Sequence, residues 1–304
     1  MVPEREMMIL AAFLLLSYVT RTNCLTQPSV VNLQKTITED FDVYDVDSAV
    51  LSSGSNLLYH GHVTGVYEST GRAYSAYYAY LNPRYFSFEP PTKYGCTERK
   101  KTSESSVDQN CDYATNGAFF NMNYPNGSLC IGNLISDGKV WQLPDDGTGT
   151  LRAQYGVTTD GKIVAGFISN TTIMSNKFSF STLITGWGWL VRNGENWVNS
   201  SQDLSYSAGG FTLEKAPRTA VGYLKNGSMI LLEIDGEEDI LAGPDLFESA
   251  ELLIKLGAEI AVNIDGGGSS VSVYQGVVVD YPTCEDTPEM CEREVATIAC
   301  VKKS

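Results

Sequence analysis

Short apolar runs separated by Gly, Asn and Asp fill most of the chain from Asp112 onward. Two examples are residues 132–143 (GNLISDGKVWQL) and residues 226–236 (NGSMILLEIDG). Runs of this length, bounded by Asn-Gly and Asp-Gly dipeptides, are typical of β-strands joined by tight hairpins. The apolar pattern therefore predicts a chain built mainly of short strands.

Other segments extend this pattern in both directions. We predict strands at residues 63–67 and 75–80, and a hairpin turn at residues 275–276. The polar stretch 97–110 is predicted to be an exposed loop. The acidic stretch 40–47 is predicted to lie on the surface, because its spacing does not fit an EF-hand calcium loop.

One segment departs from the hairpin pattern and predicts a strand–helix–strand unit. Residues 228–234 (SMILLEI) and 259–264 (EIAVNI) are apolar runs, and residues 244–256 between them have apolar positions at helical spacing. A right-handed crossover would place the two strands parallel in one sheet. If the strands are neighbours, Asp235 and Asp265, which follow them, share one sheet edge, where ligands bind in open α/β sheets.

These elements predict an α/β fold, with α+β-like mixed sheets and few helices. Hydrophobic residues make up 43% and charged residues 19% of the 304 residues, which is a globular composition. No long linker or charge run divides the chain, so we predict a single domain. The net charge of −15 argues against binding to nucleic acid or anionic membranes, although one buried Arg can still create a local anion site.

The N-terminus resembles a secretory signal peptide, which we place at residues 1–24. Residues 7–19 (MMILAAFLLLSYV) form an apolar run that is short for a membrane span and is followed by polar residues. The preceding charges are atypical, because Arg5 lies between two glutamates. A signal anchor or a buried helix is therefore the alternative. A signal peptide predicts a protein of the secretory pathway lumen, of the Golgi type, or a secreted protein.

The cysteines and glycosylation sequons agree with that compartment. Loss of residues 1–24 would remove Cys24 and leave six cysteines, an even number suited to three disulfides. No CxxC pair indicates a zinc cluster. N-glycosylation is predicted at the four Asn-x-Ser/Thr sequons, which are Asn126, Asn170, Asn199 and Asn226.

The most distinctive local motif is Asp265-Gly266-Gly267-Gly268-Ser269. Three consecutive glycines cost backbone entropy, so we expect their main chain to form a left-handed turn or to contact a ligand. The alternative is a tight turn that Asp265 merely caps.

Three other polar groups are candidates for a site. Asn116, followed by Gly117, can hydrogen-bond a sugar or an amide, with an ordinary turn above core aromatics as the alternative. Arg218 precedes an apolar strand, and its guanidinium matches a phosphate, although a structural Arg–Asp pair would explain it equally well. Asp137, between Ser136 and Gly138, has the composition of a plain turn.

Histidine chemistry is poorly supported. The only two histidines, His60 and His62, lie far upstream of these motifs, and no GxSxG segment occurs. A Ser-His-Asp triad and a multi-histidine metal site are therefore disfavoured, and we predict neither a metal nor a cofactor. Carboxylates are the abundant acid–base groups, and glycoside hydrolysis uses carboxylates.

Together, the motifs resemble the phosphodiester glycosidase family, in which they occur in the same order. They are NGxFF at residues 116–120, SDG at 136–138, RTA at 218–220 and DGGGS at 265–269. The cysteine-containing tail at 284–300 and the GWGWLVRNG segment at 186–194 are also similar, so the resemblance spans about residues 96–302. It implies a catalytic domain at 96–304 with an N-terminal segment, 25–95, packed on it.

The resemblance implies hydrolysis of the bond between the anomeric carbon of N-acetylglucosamine and a phosphate oxygen, which exposes mannose 6-phosphate. The implied partners are phosphorylated high-mannose glycans on glycoproteins. Two alternatives remain: a hydrolase of another sugar-1-phosphodiester, and a phosphoglycan-binding protein of the same fold without turnover. Asn121 favours the second alternative, because it occupies a position where the family often has an acid.

The resemblance also implies roles for single residues. The catalytic candidates, near the anomeric carbon or its attacking water, are Asp265, Asp235 and Asp137. The substrate-binding candidates are Arg218 on the phosphate and, orienting the ligand, Asn116, Gly117, Gly266, Gly267, Gly268 and Ser269. The implied disulfides are Cys96–Cys130, Cys111–Cys300 and Cys284–Cys291.

Overall fold

The computed structural model describes residues 38–123, 127–144, 151–175, 177–205, 210–237, 241–280 and 292–304. These residues belong to one compact unit, 37–304. The predicted signal peptide at 1–24, the sequon at Asn126 and the predicted Cys284–Cys291 disulfide lie outside the described residues.

Short strands dominate the described chain, as the apolar pattern predicted. The strands are β1 (Asp40–Asp45), β2 (Leu57–Val66), β3 (Ala73–Leu81), β4 (Phe86–Glu89), β5 (Lys100–Lys101), β6 (Cys111–Asn116), β7 (Phe120–Asn121), β8 (Leu129–Cys130), β9 (Leu134–Ser136), β10 (Lys139–Gln142), β11 (Gln154–Thr158), β12 (Lys162–Phe167), β13 (Phe180–Thr185), β14 (Trp189–Arg192), β15 (Glu195–Asn196), β16 (Arg218–Leu224), β17 (Met229–Ile234), β18 (Ala258–Asn263), β19 (Ser272–Tyr274), β20 (Val277–Asp280), β21 (Glu294–Val295) and β22 (Ile298–Lys302). The helices are α1 (Ser48–Leu51), α2 (Thr102–Asp108), α3 (Asn170–Ile173), α4 (Gly210–Leu213) and α5 (Leu246–Lys255).

The longer strands form three sheets. The six-stranded sheet has the order β1-β12-β11-β13-β9-β10, the seven-stranded sheet β15-β14-β18-β16-β17-β3-β2, and the five-stranded sheet β20-β19-β6-β22-β4. The central core takes side chains from all three, for example Tyr155 of β11, Leu231 of β17 and Phe88 of β4. The prediction of mixed sheets with few helices is confirmed.

The seven-stranded sheet is buried on both faces. Every residue of β17 is buried, and its side chains alternate between two clusters because successive residues of a strand point to opposite faces. Met229 and Leu231 face the central core, whereas Ile230 and Leu232 face a second cluster that includes Leu253 of α5. Burial on both faces explains why this strand is a continuous apolar run.

The strand–helix–strand prediction is confirmed in its elements and in the parallel direction of its strands, but the condition that the strands are neighbours is not met. The helix α5 begins after a capping box formed by Asp245 and Glu248. The flanking strands β17 and β18 are parallel, because each pairs antiparallel with β16. They are not neighbours, since β16 lies between them. Asp235 and Asp265 therefore lie at the same end of the sheet but on opposite sides of β16.

One segment differs from its predicted structure. Residues 97–110 are not an exposed loop, because they include β5 and α2, whose Ser105 and Ser106 are buried. Small polar side chains permit this burial by bonding locally, as Ser106 Oγ does to the Ser103 carbonyl at 2.7 Å. The acidic stretch 40–47 lies at the surface, as predicted, where it includes the edge strand β1. Asp40 and Asp42 of this strand both bind Arg192. The strands at 63–67 and 75–80 and the hairpin at 275–276 are confirmed.

Two of the three predicted disulfides are present. Cys96 is bonded to Cys130, and Cys111 is bonded to Cys300 across 189 residues of sequence. The second bond joins β6 to its neighbour β22 in the five-stranded sheet. A cross-link that closes so long a loop stabilises a fold by about 3–5 kcal/mol. In the described part of the chain, no helix is long and apolar enough to cross a membrane.

Candidate active site

Two Asp-Gly loops flank the start of β16. Gly236 follows β17 and Gly266 follows β18, and both pack against Pro217, the residue before Arg218. A Cβ atom on Gly236 would lie 2.7 Å from the Pro217 nitrogen, and one on Gly266 would lie 2.8 Å from the Pro217 carbonyl oxygen. Any larger residue would force these loops away from β16, so the glycines permit a close approach of the backbones.

A hydrogen-bond network fixes the loop that begins at Asp265. The Asp265 amide donates to the Gly117 carbonyl at 3.0 Å, and the buried Asn116 side chain donates to the Asp265 carbonyl. Asn116 Oδ1 in turn accepts a bond from the Thr219 hydroxyl at 2.8 Å. The structure thus brings together three motifs that are far apart in sequence. Because both ends of the Asn116 amide bond to protein, we interpret Asn116 as a positioning residue.

The glycine run itself makes one tight turn. Gly267 has a φ of +59°, which favours glycine, and its amide donates to the Pro217 carbonyl at 2.9 Å. Gly267–Ser269 form a single 3₁₀ turn. On the other side, Gly117 has no room for a side chain, because a Cβ atom would lie 2.6 Å from Thr297 Oγ1. The Thr297 hydroxyl also accepts a bond from the Ala118 amide at 2.6 Å.

Two arginine side chains lie beside this loop. Arg218 is only 3% exposed, and its Nη2 donates to the carbonyl of Glu214 at 2.8 Å and to that of Phe211 at 3.3 Å. Its Cδ would lie 3.7 Å from a Cβ atom on Gly266. Arg293, from the C-terminal tail, donates to Ser269 Oγ at 3.4 Å. The Arg293 guanidinium therefore bonds to the glycine loop, whereas the Arg218 side chain passes the loop and its guanidinium lies 3.9 Å from the Glu214 carboxylate.

An aromatic cluster, which consists of Phe119, Trp187 and Phe211, lies beside these arginines. The rings of Trp187 and Phe211 stack at 4.9 Å, and Phe119 meets them edge-on at 5.9 and 6.1 Å. The Arg218 guanidinium lies 4.8 Å from the Phe211 ring, and that of Arg152 lies 3.5 Å from the Trp187 ring. Sequence reasoning assigned no role to Trp187 or Phe211, although the GWGWLVRNG segment contains the tryptophan.

A buried carboxylate holds the segment around Trp187. Asp203 accepts hydrogen bonds from the Ala153 amide at 3.0 Å and the Gly188 amide at 2.9 Å. Burial raises the pKa of Asp203, although these hydrogen bonds and the charge of Arg152 act in the opposite direction. Asp203 therefore ties the segment that carries Arg152, just before β11, to the tryptophan segment.

The two other catalytic candidates lie in different surroundings. Asp235 forms an acidic cluster with Glu233 and Asp280, whose carboxylate oxygens lie within 4.8 Å of one another. Its strand is two strand spacings from β18, or about 10 Å. Asp137 is exposed in the turn between β9 and β10, with a φ of +48°. Among the described residues, no hydrogen bond or ion pair joins Asp137 to the glycine loop, so the turn interpretation fits it best.

The sequence of this chain also matches a known protein family. The sequence model of the phosphodiester glycosidase family matches residues 109–302. The chain belongs to the phosphodiester glycosidase family. The match covers Asn116, Arg218, Asp265 and Thr297, so the network around the glycine loop lies within the matched region.

Relatives of this chain include animal proteins. The chain is 35% identical over 224 residues to the N-acetylglucosamine-1-phosphodiester alpha-N-acetylglucosaminidases of Mus musculus and Homo sapiens. Each alignment covers 70% of this chain and 42% of the relative, so the chain spans about two fifths of the length of these curated proteins.

Solved structures agree on the fold. The zebrafish N-acetylglucosamine-1-phosphodiester alpha-N-acetylglucosaminidase catalytic domain, auto-inhibited by its pro-peptide, matches with a TM-score of 0.76 and 29% identity, covering 87% of this chain and 88% of that one. A hypothetical protein from Synechocystis matches with a TM-score of 0.54 at 16% identity, covering 79% of this chain and 61% of that one. The second likeness concerns the fold alone.

Proposed function

We propose that this chain hydrolyses the bond between α-linked N-acetylglucosamine and phosphate in a GlcNAc-α-1-phospho-6-mannose phosphodiester, leaving mannose 6-phosphate. The observation that carries the proposal is the placement of Asp265 and the buried Arg218 on adjoining segments at the start of β16. The names of the relatives at 35% identity support the same substrate class.

The arginines provide the phosphate half of the site. A guanidinium group donates two parallel hydrogen bonds that match phosphate oxygens, and burial strengthens that interaction. Arg218 is buried against Phe211, and Arg293 bonds to the end of the glycine loop. We therefore place the phosphodiester between these side chains, with the Gly266–Ser269 main chain alongside it.

Asp265 provides the sugar half. In the reaction, water adds to the anomeric carbon, the bond from that carbon to the phosphate oxygen breaks, and its electron pair stays on the phosphate. A phosphate monoester is a good leaving group, so little general-acid help is needed. What remains is to stabilise the developing positive charge on the sugar and to orient the water, which a carboxylate does. Asp235 and Asp137 remain weaker candidates for this role.

The aromatic cluster provides an apolar surface next to Arg218. Sugars present C–H groups on their ring faces, and aromatic rings pack against such surfaces. Phe119 follows directly on the Asn116–Gly117 segment, so the same segment positions the Asp265 loop and one wall of the site. We propose that the N-acetylglucosamine unit packs on Phe119, Trp187 and Phe211.

A substrate panel tests the proposal. Purified protein is incubated with phosphodiesters of mannose 6-phosphate that carry N-acetylglucosamine, glucose or mannose, and the released sugar is measured. We expect release of N-acetylglucosamine to exceed that of the other sugars by at least tenfold. Faster release of another sugar would favour a different sugar-1-phosphodiester, the first alternative. Binding of the substrates without release of any sugar would favour the non-catalytic protein, which the exposed Asn121 suggests.

We further propose that the protein acts in the lumen of the secretory pathway or outside the cell. Disulfides form and persist in oxidising compartments, and two are present here. Among the predicted glycosylation sites, Asn199 and Asn226 are exposed. Asn170 is partly buried, and its side chain donates to the Pro144 carbonyl at 2.8 Å. Glycans are therefore expected at Asn199 and Asn226, and a glycan at Asn170 would have to break that bond.

A further inference from the structure

The acidic cluster lies between two sheets and away from solvent. Glu233 is on β17, Asp235 follows that strand, and Asp280 ends β20 of the five-stranded sheet. Glu233 points to the central-core face, like Met229 and Leu231 of the same strand. Glu233 is 1% exposed and Asp280 is 6% exposed. Three carboxylates thus meet where few charges are found in proteins.

No cation balances these charges within the described part of the chain. Neither Lys nor Arg forms an ion pair with Glu233, Asp235 or Asp280 among the described residues. Oε2 of Glu233 and Oδ2 of Asp280 accept no hydrogen bond from a described donor. The buried Ser272 lies directly opposite Asp280 in the β19–β20 pair. Buried oxygens without donors are costly, so we expect a positive group to bind them.

Two further side chains lie beside the cluster on the same sheet. Tyr77 of β3 is the cross-strand partner of Glu233, and His62 of β2 is the cross-strand partner of Tyr77. The rings of His62 and Tyr77 stack at 4.5 Å.

We propose that Glu233, Asp235 and Asp280 bind a divalent cation, and that this cation is Ca²⁺. All the donors are oxygens, which hard cations prefer. One oxygen of each carboxylate lies within 4.8 Å of the other two, so the three groups can contact one ion. Mg²⁺ usually keeps several waters and binds one or two carboxylates, whereas Ca²⁺ accepts more carboxylate ligands in a flexible geometry. Three largely buried carboxylates therefore favour Ca²⁺.

The site adjoins the glycine-loop network without belonging to it. Glu233 is the cross-strand partner of Thr219, whose hydroxyl donates to Asn116. Bound Ca²⁺ would join the five-stranded sheet to β17 and so hold the face on which Thr219 lies. The proposal does not depend on the proposed hydrolysis, because it concerns binding and stability.

Thermal unfolding and terbium luminescence test the proposal directly. The full chain is treated with EDTA, and its melting temperature is measured with added CaCl₂ or MgCl₂. At a Ca²⁺ concentration about 100-fold above Kd, we expect the melting temperature to rise by roughly 5 °C or more, and by less with Mg²⁺. Tb³⁺ should bind in competition with Ca²⁺ and luminesce by energy transfer from Tyr77.

Matched variants locate the effect. Glu233→Gln and Asp280→Asn should abolish the Ca²⁺-dependent rise, whereas Glu195→Gln, which changes an exposed carboxylate of β15, should retain it. Should the buried variants fail to fold, the more exposed Asp235→Asn should weaken Tb³⁺ binding at least tenfold. The proposal is overturned if wild-type protein shows no Ca²⁺ shift and no Ca²⁺-sensitive Tb³⁺ signal, or if the variants respond like the wild type. If the wild-type protein shows neither signal, protons shared between the carboxylates neutralise the cluster in place of a cation.

Discussion

The loops after β17 and β18 begin with the same Asp-Gly dipeptide but lie in opposite electrostatic surroundings. Beside the loop that begins at Asp265, the described chain places the side chains of Arg218, next to Gly266, and Arg293, bonded to Ser269. Beside Asp235, it places two further carboxylates, Glu233 and Asp280. The same local sequence thus suits two different ligands. Cations near Asp265 favour an anionic substrate, whereas the carboxylates near Asp235 favour a metal cation.

The comparison also shows what determines a functional role. Both aspartates follow apolar strands at one end of the seven-stranded sheet, so the strand pattern alone cannot separate them. The difference arises from side chains contributed by distant segments, namely Arg293 from the C-terminal tail and Asp280 from the five-stranded sheet. Tests that remove these side chains one at a time should therefore separate the two loops.

Apart from replacement of Asp265 itself, the largest effect is expected for Arg218→Ala. Loss of a buried guanidinium at the phosphate should reduce turnover by about 3 kcal/mol, or roughly 100-fold or more, and weaken inhibition by phosphate-containing product analogues. Steady-state kinetics with and without such an analogue measures both effects. The matched variant Arg84→Ala changes an arginine of the surface turn at 83–85 and should leave both unchanged. An Arg218→Ala protein with normal product inhibition would remove Arg218 from the phosphate site.

Glu248 shows how a buried carboxylate behaves when cations balance it. It lies on the opposite, helix-bearing face of the sheet and bonds to Arg72 at 2.6 Å and to Lys215 at 2.8 Å. Burial alone would raise the pKa of Glu248, but hydrogen bonds from Lys215 and Thr70 outweigh it and lower the pKa. Glu248→Ala should therefore cost about 2–3 kcal/mol in the free energy of unfolding, measured with denaturant.

The lowered pKa gives Glu248 a defined acid dependence. A carboxylate whose folded pKa is depressed contributes stability above its unfolded pKa and loses it as the pH falls through the folded value. Wild-type stability should therefore fall below about pH 4.3, the ordinary value for Glu. In Glu248→Gln the fall should be shallower, as measured by denaturant unfolding between pH 6 and pH 3. Equal slopes for both proteins would show that the ion pairs do not carry this stability.

A different response is expected for Glu233→Gln. Burial and the neighbouring carboxyl groups raise the pKa of Glu233, so a proton neutralises it when no cation is bound. In EDTA the replacement should therefore change the free energy of unfolding by less than about 1 kcal/mol. In saturating Ca²⁺ the same variant should be less stable than the wild type. Denaturant unfolding under both conditions gives the two differences. A variant that is destabilised equally with and without Ca²⁺ would contradict the contrast with Glu248.

The smallest effect is expected for the histidines. His60 stacks on Tyr274 at 4.1 Å, and His62 Nε2 lies 2.9 Å from Ser75 Oγ. Both belong to β2, which is three strands from β16 in the sheet order. The double replacement His60→Gln and His62→Gln should therefore leave turnover within a few-fold of the wild type. A loss of several orders of magnitude would place the catalytic site at β2.

Sequence alone predicted the parts of this site that are marked by local chemistry. Glycine runs next to Asp265, the Asn116–Gly117 pair and an Arg before an apolar strand are each visible in a few residues. The disulfides Cys96–Cys130 and Cys111–Cys300 followed from the family resemblance, and both are present. The glycine and turn features depend on local backbone conformation, which short motifs indicate, whereas the disulfide pairing came from the family resemblance.

The parts that were missed depend on strand order. A strand–helix–strand pattern does not reveal that β16, an earlier segment, enters between the two strands. Glu233 has the appearance of one polar residue in an apolar run, and its partner Asp280 is 47 positions later, on another sheet. Trp187 and Phe211 meet only because their loops converge at Arg218. Pairings of this kind arise from the tertiary fold, which periodicity does not specify.

The most direct test of the central claim is the turnover of Asp265→Asn on the GlcNAc-α-1-phospho-6-mannose phosphodiester. Asparagine keeps the size and most hydrogen bonds of the aspartate but removes the charge needed at the developing cation. We therefore expect folded, secreted Asp265→Asn to bind the substrate as the wild type does and to release N-acetylglucosamine about 10²–10⁴-fold more slowly, with Asp137→Asn near normal. Near-normal turnover by folded Asp265→Asn would show that Asp265 only caps the glycine turn, and it would contradict the account.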